Sequence, residues 1–163
     1  MIIRVYRPSD KQGCIDAFKS NMPRFFAAAE LPDYEDWLDE LEAHVTAGEI
    51  SELEQYFVAI QDNNVIGCGG YAVDRHKQEA TMAWGLVTNS MHRQGVGKAL
   101  FLHRFAAIRK VCPECRIVLD TTQHSYSFFE KLGFVVINIT RGFYDDGLDR
   151  YDMMWKAADP SNE

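Results

Sequence analysis

The sequence predicts an α/β (α+β) chain, and three observations carry that prediction. Apolar runs of strand length alternate with longer segments whose apolar residues recur at helical spacing. A strand, a glycine-rich turn and a helix follow one another directly between Met82 and Val111. A later short helical segment closes on Gly133, and Phe134 at once begins another strand.

In chain order, residues 2–6 alternate and read as a first strand, and Arg7-Pro8-Ser9-Asp10 as a turn with a helix N-cap. A helix over 11–21 follows, with Ile15, Ala17 and Phe18 facing inward. Pro32 restarts a helix over 32–47, whose Tyr34, Trp37, Leu38, Leu41 and Val45 share one face, and Gly48 ends it. Residues 55–61 and 65–73 form a hairpin about Asp62-Asn63-Asn64. Gly67, Gly69 and Gly70 are too many for an ordinary central strand and predict a bulge or close backbone approach. A fourth strand covers 78–87, a long helix 96–111 and a short buried strand 116–120. Strands at 134–140 and 149–156, joined by 141–148, complete the pattern. Residues 1–157 read as a single domain and 158–163 as a frayed tail.

Composition narrows the class. Of the residues, 47 % are hydrophobic and 12 % aromatic, enough for a true core. No apolar run reaches the roughly 18 residues of a membrane span, and the N-terminus lacks a long apolar signal region. The default expectation is a cytoplasmic chain without a membrane partner. A net charge of −7 and no basic stripe argue against nucleic acid. Between Phe25 and Asp74 there are twelve acids and no Lys or Arg, whereas the rest of the chain is mildly basic. A basic half suits an anionic cofactor; an acidic half either attracts a cationic substrate or is a solvated helix face. Cys112-Pro113-Glu114-Cys115 lacks the further ligands that a zinc site needs, and it follows a helix rather than opening one. It reads as two ordinary thiols beside a loop, and no metal is expected.

The chemistry concentrates in His92-Arg93-Gln94-Gly95-Val96-Gly97-Lys98-Ala99-Leu100. Glycines at a helix start admit close approach, and the unpaired N–H groups of the first turn point at an anion, with Arg93 and Lys98 adding charge. A Walker loop is excluded by His92 and Ala99, and a dinucleotide fingerprint by Leu100. What remains resembles the pyrophosphate loop Q/R-x-x-G-x-G/A of the GNAT family of N-acetyltransferases, with His92 in place of Gln or Arg. Phe128-Phe129-Glu130-Lys131-Leu132-Gly133-Phe134 resembles the family's later motif, in the family's order.

The resemblance implies a GNAT fold: a mixed, mostly antiparallel sheet of about seven strands flanked by helices. It implies acetyl-CoA as cosubstrate, lying where the fourth and fifth strands splay apart. The arm would pair with the backbone of Leu86 and Val87, and the loop Arg93, Gln94, Gly95, Val96, Gly97 and Lys98 would hold the pyrophosphate. Thr122 stands where the family often has an Asn that binds the arm, and Phe129 where it has a proton-donating Tyr. Phe25, Phe26, Tyr34 and Trp37 are candidates to line the acceptor pocket, or are core.

Both catalytic posts depart from the family pattern. Thr81 occupies the position of a Glu base, and Phe129 has no proton to give. Glu79, two residues before Thr81 on the same strand face, is a candidate base acting through water, or an exposed strand-end carboxylate. Tyr126, one helical turn before Phe129, and His124, which titrates near neutral pH, are candidate proton donors. Tyr144, Asp145 and Asp146 either contact substrate or form a polar hairpin loop. The expected activity is transfer of an acetyl group from acetyl-CoA to a primary amine of a small, cationic acceptor by direct attack. The alternative is a non-catalytic acyl-CoA-binding or interaction module. A homodimer is compatible with either reading.

Overall fold

The structure is a computed structural model that describes residues 1–49 and 51–156. The predicted tail, 158–163, lies outside the described residues. The strands are β1 (Ile2–Val5), β2 (Glu54–Gln61), β3 (Asn64–Asp74), β4 (Glu79–Val87), β5 (Arg116–Thr121), β6 (Phe134–Asp145) and β7 (Leu148–Trp155). The helices are α1 (Lys11–Lys19), α2 (Glu30–Thr46), α3 (Val96–Val111) and α4 (Tyr126–Glu130). One sheet runs in the order β1-β2-β3-β4-β5-β7-β6. Its pairings are antiparallel except β4 with β5.

Two apolar layers hold the sheet. On one face Leu100, Phe101 and Ile108 of α3 pack on Phe57, Tyr71, Ile117 and Met153. On the other, Cys14, Ile15 and Phe18 of α1 and Tyr34 and Leu38 of α2 cover Tyr56, Val58, Cys68 and Leu86. That second layer stops at β4, and among the described residues no helix packs over the same face of β5, β7 and β6.

Several boundaries move for identifiable reasons. α2 begins at Glu30, so Pro32 lies inside its first turn, where a backbone N–H has no intrahelical acceptor and its loss costs little. α1 ends at Lys19, because the Ser20 hydroxyl and the Asn21 amide fold back onto the Ala17 carbonyl at 2.6 and 2.9 Å. Asp10 does not cap α1; its carboxylate instead takes the Arg7 N–H (2.8 Å) and the Arg4 guanidinium (2.7 and 2.9 Å). β6 continues to Asp145, and only Asp146-Gly147 turn the chain into β7, where 141–148 had read as a connecting segment. Cys112 and Cys115 are a buried disulfide rather than separate thiols. The turn between α3 and β5 folds tightly enough to bring their Cα atoms within 5.4 Å.

Two features of β4 position the site. Its pairing with β5 ends at Thr81 opposite Val118, and from there the strands diverge. Further along, the register with β3 passes from Ala83 opposite Gly70 to Leu86 opposite Cys68, so Trp84 and Gly85 together face Gly69 in a bulge. Trp84 has a φ of +48°, a conformation costing about 1–3 kcal/mol for a bulky residue. A hydrogen-bond chain holds it: the Tyr56 hydroxyl donates to the Trp84 carbonyl (2.8 Å) and accepts from the Tyr34 hydroxyl (2.8 Å). Beneath the sheet, a Cβ on Gly69 would lie 3.0 Å from Arg104 Cζ, and one on Gly67 2.9 Å from Leu100. This is the close approach that the glycines of 67–70 predict.

Burial pushes the Asp10 carboxyl up, but the Arg4 guanidinium and the Arg7 N–H outweigh it and hold it below the usual range. An acid held low stabilises the fold above its unfolded pKa of about 3.9 and loses that contribution as pH falls through the lower, folded value. Asp10→Asn is therefore expected to lower stability at pH 7 by about 2 kcal/mol, discounted because Arg4 is partly solvated. The difference from wild type should shrink in urea titrations taken from pH 5 down to pH 2.

Candidate active site

The turn after β4 is built to present N–H groups. His92 Nε2 donates to the Val87 carbonyl at 2.9 Å and ties the turn to the end of the strand. Arg93 and Gly95 both take positive φ, +63° and +84°, which reverses the chain so that α3 starts at Val96. At Gly95 the absence of a Cβ makes this free of strain. The Gly95 carbonyl accepts the Ala99 N–H at 3.0 Å. The N–H groups of Val96, Gly97 and Lys98 therefore lack an intrahelical acceptor and open outward. Arg93, Gln94 and Lys98 are exposed, and Gln94 Nε2 donates back to the Ser90 carbonyl at 3.2 Å. A Cβ on Gly97 would lie 3.3 Å from Phe128, so α4 closes the other side of the loop. A phosphate fits this arrangement on its donors alone.

The unpaired edge of β4 leads from this loop toward β5. The Thr88 N–H binds the Ile66 carbonyl at 2.9 Å. By strand alternation Leu86 then pairs with Cys68, and the backbone of Val87 faces away from β3. Leu86 is thereby corrected as a cofactor contact: its backbone is engaged by β3 and its side chain is buried under α1 and α2. The Val87 carbonyl already accepts from His92 and from Asn21 Nδ2 (2.8 Å), which leaves its N–H. Thr122 is buried beyond the end of β5; its hydroxyl oxygen accepts the His124 N–H at 3.2 Å, and its own proton is uncommitted. Phe129 packs edge-on against Phe128 and Phe134.

The candidate acid and base residues fall apart in space. Glu79 shares the face of Thr81 but is bound by Arg116 at 2.8 Å, at the end where β4 and β5 are still paired. Tyr126 stacks on Tyr151 at 4.6 Å and packs against the core under α3. His124 is exposed, with Phe25 edge-on at 6.0 Å. Phe25 also meets the His92 ring at 5.2 Å, so it reaches from the α1–α2 connection to both sides of the splay. Of the other three aromatic candidates Tyr34 is fully buried core, while Phe26, stacked on Phe18, and Trp37, against Tyr56, are half-buried at the core's margin.

A cavity of about 420 Å³ opens on the uncovered half of the sheet, lined among others by Glu79, Thr81, Asp120, Asn138, Arg150 and Asp152. Asp120 follows Val118 on the strand face of Thr81, past the point where β4 and β5 part. It accepts the Tyr144 hydroxyl, and Arg150 lies 3.8 Å from Oδ1 while binding Asp152 at 2.9 Å. Tyr144, placed on β6 rather than in a loop, is raised by burial and by this carboxylate, so it stays protonated and donates. Glu30 at the start of α2 is raised by burial, opposed by the Ala27 N–H, and raised further by the charges of Asp120 and Asp33. Asp120 was missed by sequence reasoning. The available signal was its place at the C-terminal end of a strand, where parallel neighbours diverge and ligands bind. The acids of α2 are largely a solvated face, so the acidity near the site comes mainly from the second half of the chain.

A helix start with free N–H groups thus stands beside an unpaired strand edge, with a carboxylate-lined cavity past the divergence of β4 and β5. A profile of the acetyltransferase (GNAT) domain matches residues 52–136, more than half of the chain. The chain belongs to the GNAT family, and it is an acetyl-CoA-dependent N-acyltransferase. It is similar over 96 % of its length to 99 % of a solved acetyltransferase assigned to that family from Desulfovibrio desulfuricans, at a TM-score of 0.77 and 20 % identity. It is also similar to the ribosomal-protein-alanine N-acetyltransferase of Brucella melitensis, with a TM-score of 0.73, 16 % identity and 94 % and 98 % of the two chains covered. An aminoglycoside 6′-N-acetyltransferase complexed with coenzyme A matches at 0.68 and 16 %, covering 94 % and 96 %. No curated protein matches significantly in sequence. Among the described residues no helix is long and apolar enough to cross a membrane.

If the loop holds the pyrophosphate, Gly95→Val and Gly97→Val should each weaken coenzyme A binding at least tenfold. The first forces a branched residue to a φ of +84°, and the second pushes into Phe128 and Val87. Calorimetric titration of the folded variants checks this, and unchanged affinity would remove the loop from the binding site.

Proposed function

We propose that this enzyme acetylates a primary amine of a small cationic acceptor, bound in the carboxylate-lined cavity, by direct attack in a ternary complex. The observation that carries the reading is Asp120 in that cavity, past the divergence of β4 and β5 and held by Tyr144 and Arg150. Bound acetyl-CoA supplies an activated acyl carbon. The N–H groups of Val96, Gly97 and Lys98, with Arg93 and Lys98 charges, hold its pyrophosphate; the Val87 N–H and the Thr122 hydroxyl hold its arm. Phe25 lies over the splay and restricts water there.

An alkyl ammonium with a pKa near 10 must lose a proton before it attacks. Asp120 first binds the ammonium beside Asp152 and then takes its proton, directly or through water. The Tyr144 hydroxyl donates to the carboxylate and fixes its orientation. Glu79, engaged by Arg116, contributes charge at the cavity wall rather than a free base. Thr81 leaves room for the acceptor where a longer acid would stand. Positioning of the reactants supplies much of the rate. The aminoglycoside enzyme among the similar structures supports an amine-rich acceptor, and the ribosomal-protein enzyme keeps a peptide amine in the test. A cytoplasmic location accords with use of acetyl-CoA.

The experiment is thiol release from acetyl-CoA across polyamines, aminoglycosides, free amino acids and alanine-started peptides. Small polycations are expected to be the best acceptors; preference for the peptides would overturn the acceptor class. On the best amine, Asp120→Asn is expected to reduce kcat/KM by about 10²-fold or more while coenzyme A affinity is unchanged. Release from no amine, by a protein that binds acetyl-CoA, would favour the non-catalytic reading instead.

A further inference from the structure

Arg104 is a buried charge that binding and proton transfer, as described, do not use. It is 4 % exposed, on α3, eight residues beyond Val96, which is about 12 Å along the helix. Its Nε donates to the Leu100 carbonyl at 3.3 Å and its Nη1 to the Gly70 carbonyl at 3.4 Å, both long. Among the described residues no carboxylate pairs with it, and Nη2 has no hydrogen-bond partner. Burial pulls the guanidinium down only to about 10, so it is charged at neutral pH. Its nearest ionisable neighbours are Tyr56 on β2 and Cys68 on β3. Tyr56, pushed up by burial, stays protonated and donates to Trp84, whereas the Cys68 thiol, pushed up by burial, is held below the usual thiol range by hydrogen bonds with Cys14, Tyr34 and Tyr56 and by the Arg104 charge.

An apolar side chain would fill this position at less cost, since a buried cation without a carboxylate partner is expensive. The sheet is nevertheless shaped to receive the guanidinium. A Cβ on Gly69 would lie 3.0 Å from Cζ, and one on Gly85 3.1 Å from Nη2. Gly85 belongs to the β4 bulge, in the stretch that β5 no longer covers. An acyl-carrier arm running from the phosphate loop along this edge passes Val87 and brings its thioester to the bulge. The cation lies directly underneath.

We propose that Arg104 is a positioning residue for the acyl transfer, holding a positive potential beneath the thioester so that its sulfur leaves as a thiolate without a proton donor. The inference rests on the acetyl-CoA placement above. In the step, the amine lone pair forms the C–N bond and the C–S bond breaks. Its electron pair stays on sulfur, and the proton that the nitrogen sheds on acylation passes to water, Asp120 already holding the one it took from the ammonium. The thiolate takes a proton from solvent after release. This accounts for a transferase with Phe129 at the usual donor position: a fixed charge does the work of a proton.

The test reads the ionisation of the thiol of bound coenzyme A, followed by thiolate absorbance of the saturated complex against protein alone. In the wild-type protein this thiol is expected to ionise at least about one pH unit below free coenzyme A. Arg104→Met should fold, bind coenzyme A at pH 6 as the wild type does, and lose the shift; Arg104→Lys should keep most of it. Arg104→Gln serves the same comparison if the Met variant unfolds. On the best amine, Arg104→Met should lower kcat at least tenfold with little change in KM for acetyl-CoA. An unshifted thiol in the wild-type complex, or a shift that survives in the folded Met or Gln variant, overturns the role of Arg104. Absence of coenzyme A binding would overturn the cofactor placement and this inference with it. A shifted thiol with no amine acetylated would sustain the role of Arg104 and overturn only the acceptor reading.

Discussion

The departure of β4 from regular pairing on both sides is the constraint on which the rest of the site depends. Toward β5 it is paired for three residues and then opens. Toward β3 it carries an extra residue at Trp84 and Gly85. An open strand edge inside a sheet leaves N–H and C=O groups without partners, and a bulge leaves a bulky residue in an unfavourable conformation. Neither persists unless the surroundings impose it. Here the two faces share that task. From above, Tyr56, itself bonded by the Tyr34 hydroxyl, donates to the Trp84 carbonyl; from below, Arg104 and Leu100 fit against glycines where side chains would collide.

This arrangement divides the sheet by function. α1 and α2 cover β2 to β4 and bury their aromatic residues there, and among the described residues this layer does not extend over β5, β7 and β6. The open half gathers Asp120, Asp152 and Glu79 with Arg150 and Arg116. The carboxylates are therefore oriented by partners rather than free in solvent. Basic groups sit on the loop before α3, apart from these carboxylates, so positive and negative potential are separated within the site.

Much of the frame was legible locally. The helix over 96–111 is written in its glycine start and apolar spacing, and each strand in a short apolar run between turn residues. The loop from Arg93 to Lys98 was legible because a helix start and glycines act within a few residues of one another. Leu86 was not, since whether a backbone group faces β3 or the splay depends on strand register. Nor was Asp120, whose neighbours Tyr144 and Arg150 are 24 and 30 residues away in the chain. The acidic run from Phe25 to Asp74 pointed to a cationic acceptor, yet most of its acids in α2 face solvent, and the cavity draws its carboxylates from β4, β5 and β7.

Sequence by itself determined the α/β pattern, the glycine turn into α3 and the family resemblance, because these rest on contacts between near neighbours. Tertiary structure alone decided that Cys112 and Cys115 are joined, that Tyr34 is core while Phe25 reaches the splay, and that Arg104 lies beneath Gly85. Each of those outcomes depends on which distant elements pack together. A single chain's periodicity shows that a residue is buried or exposed, but not which partner buries it.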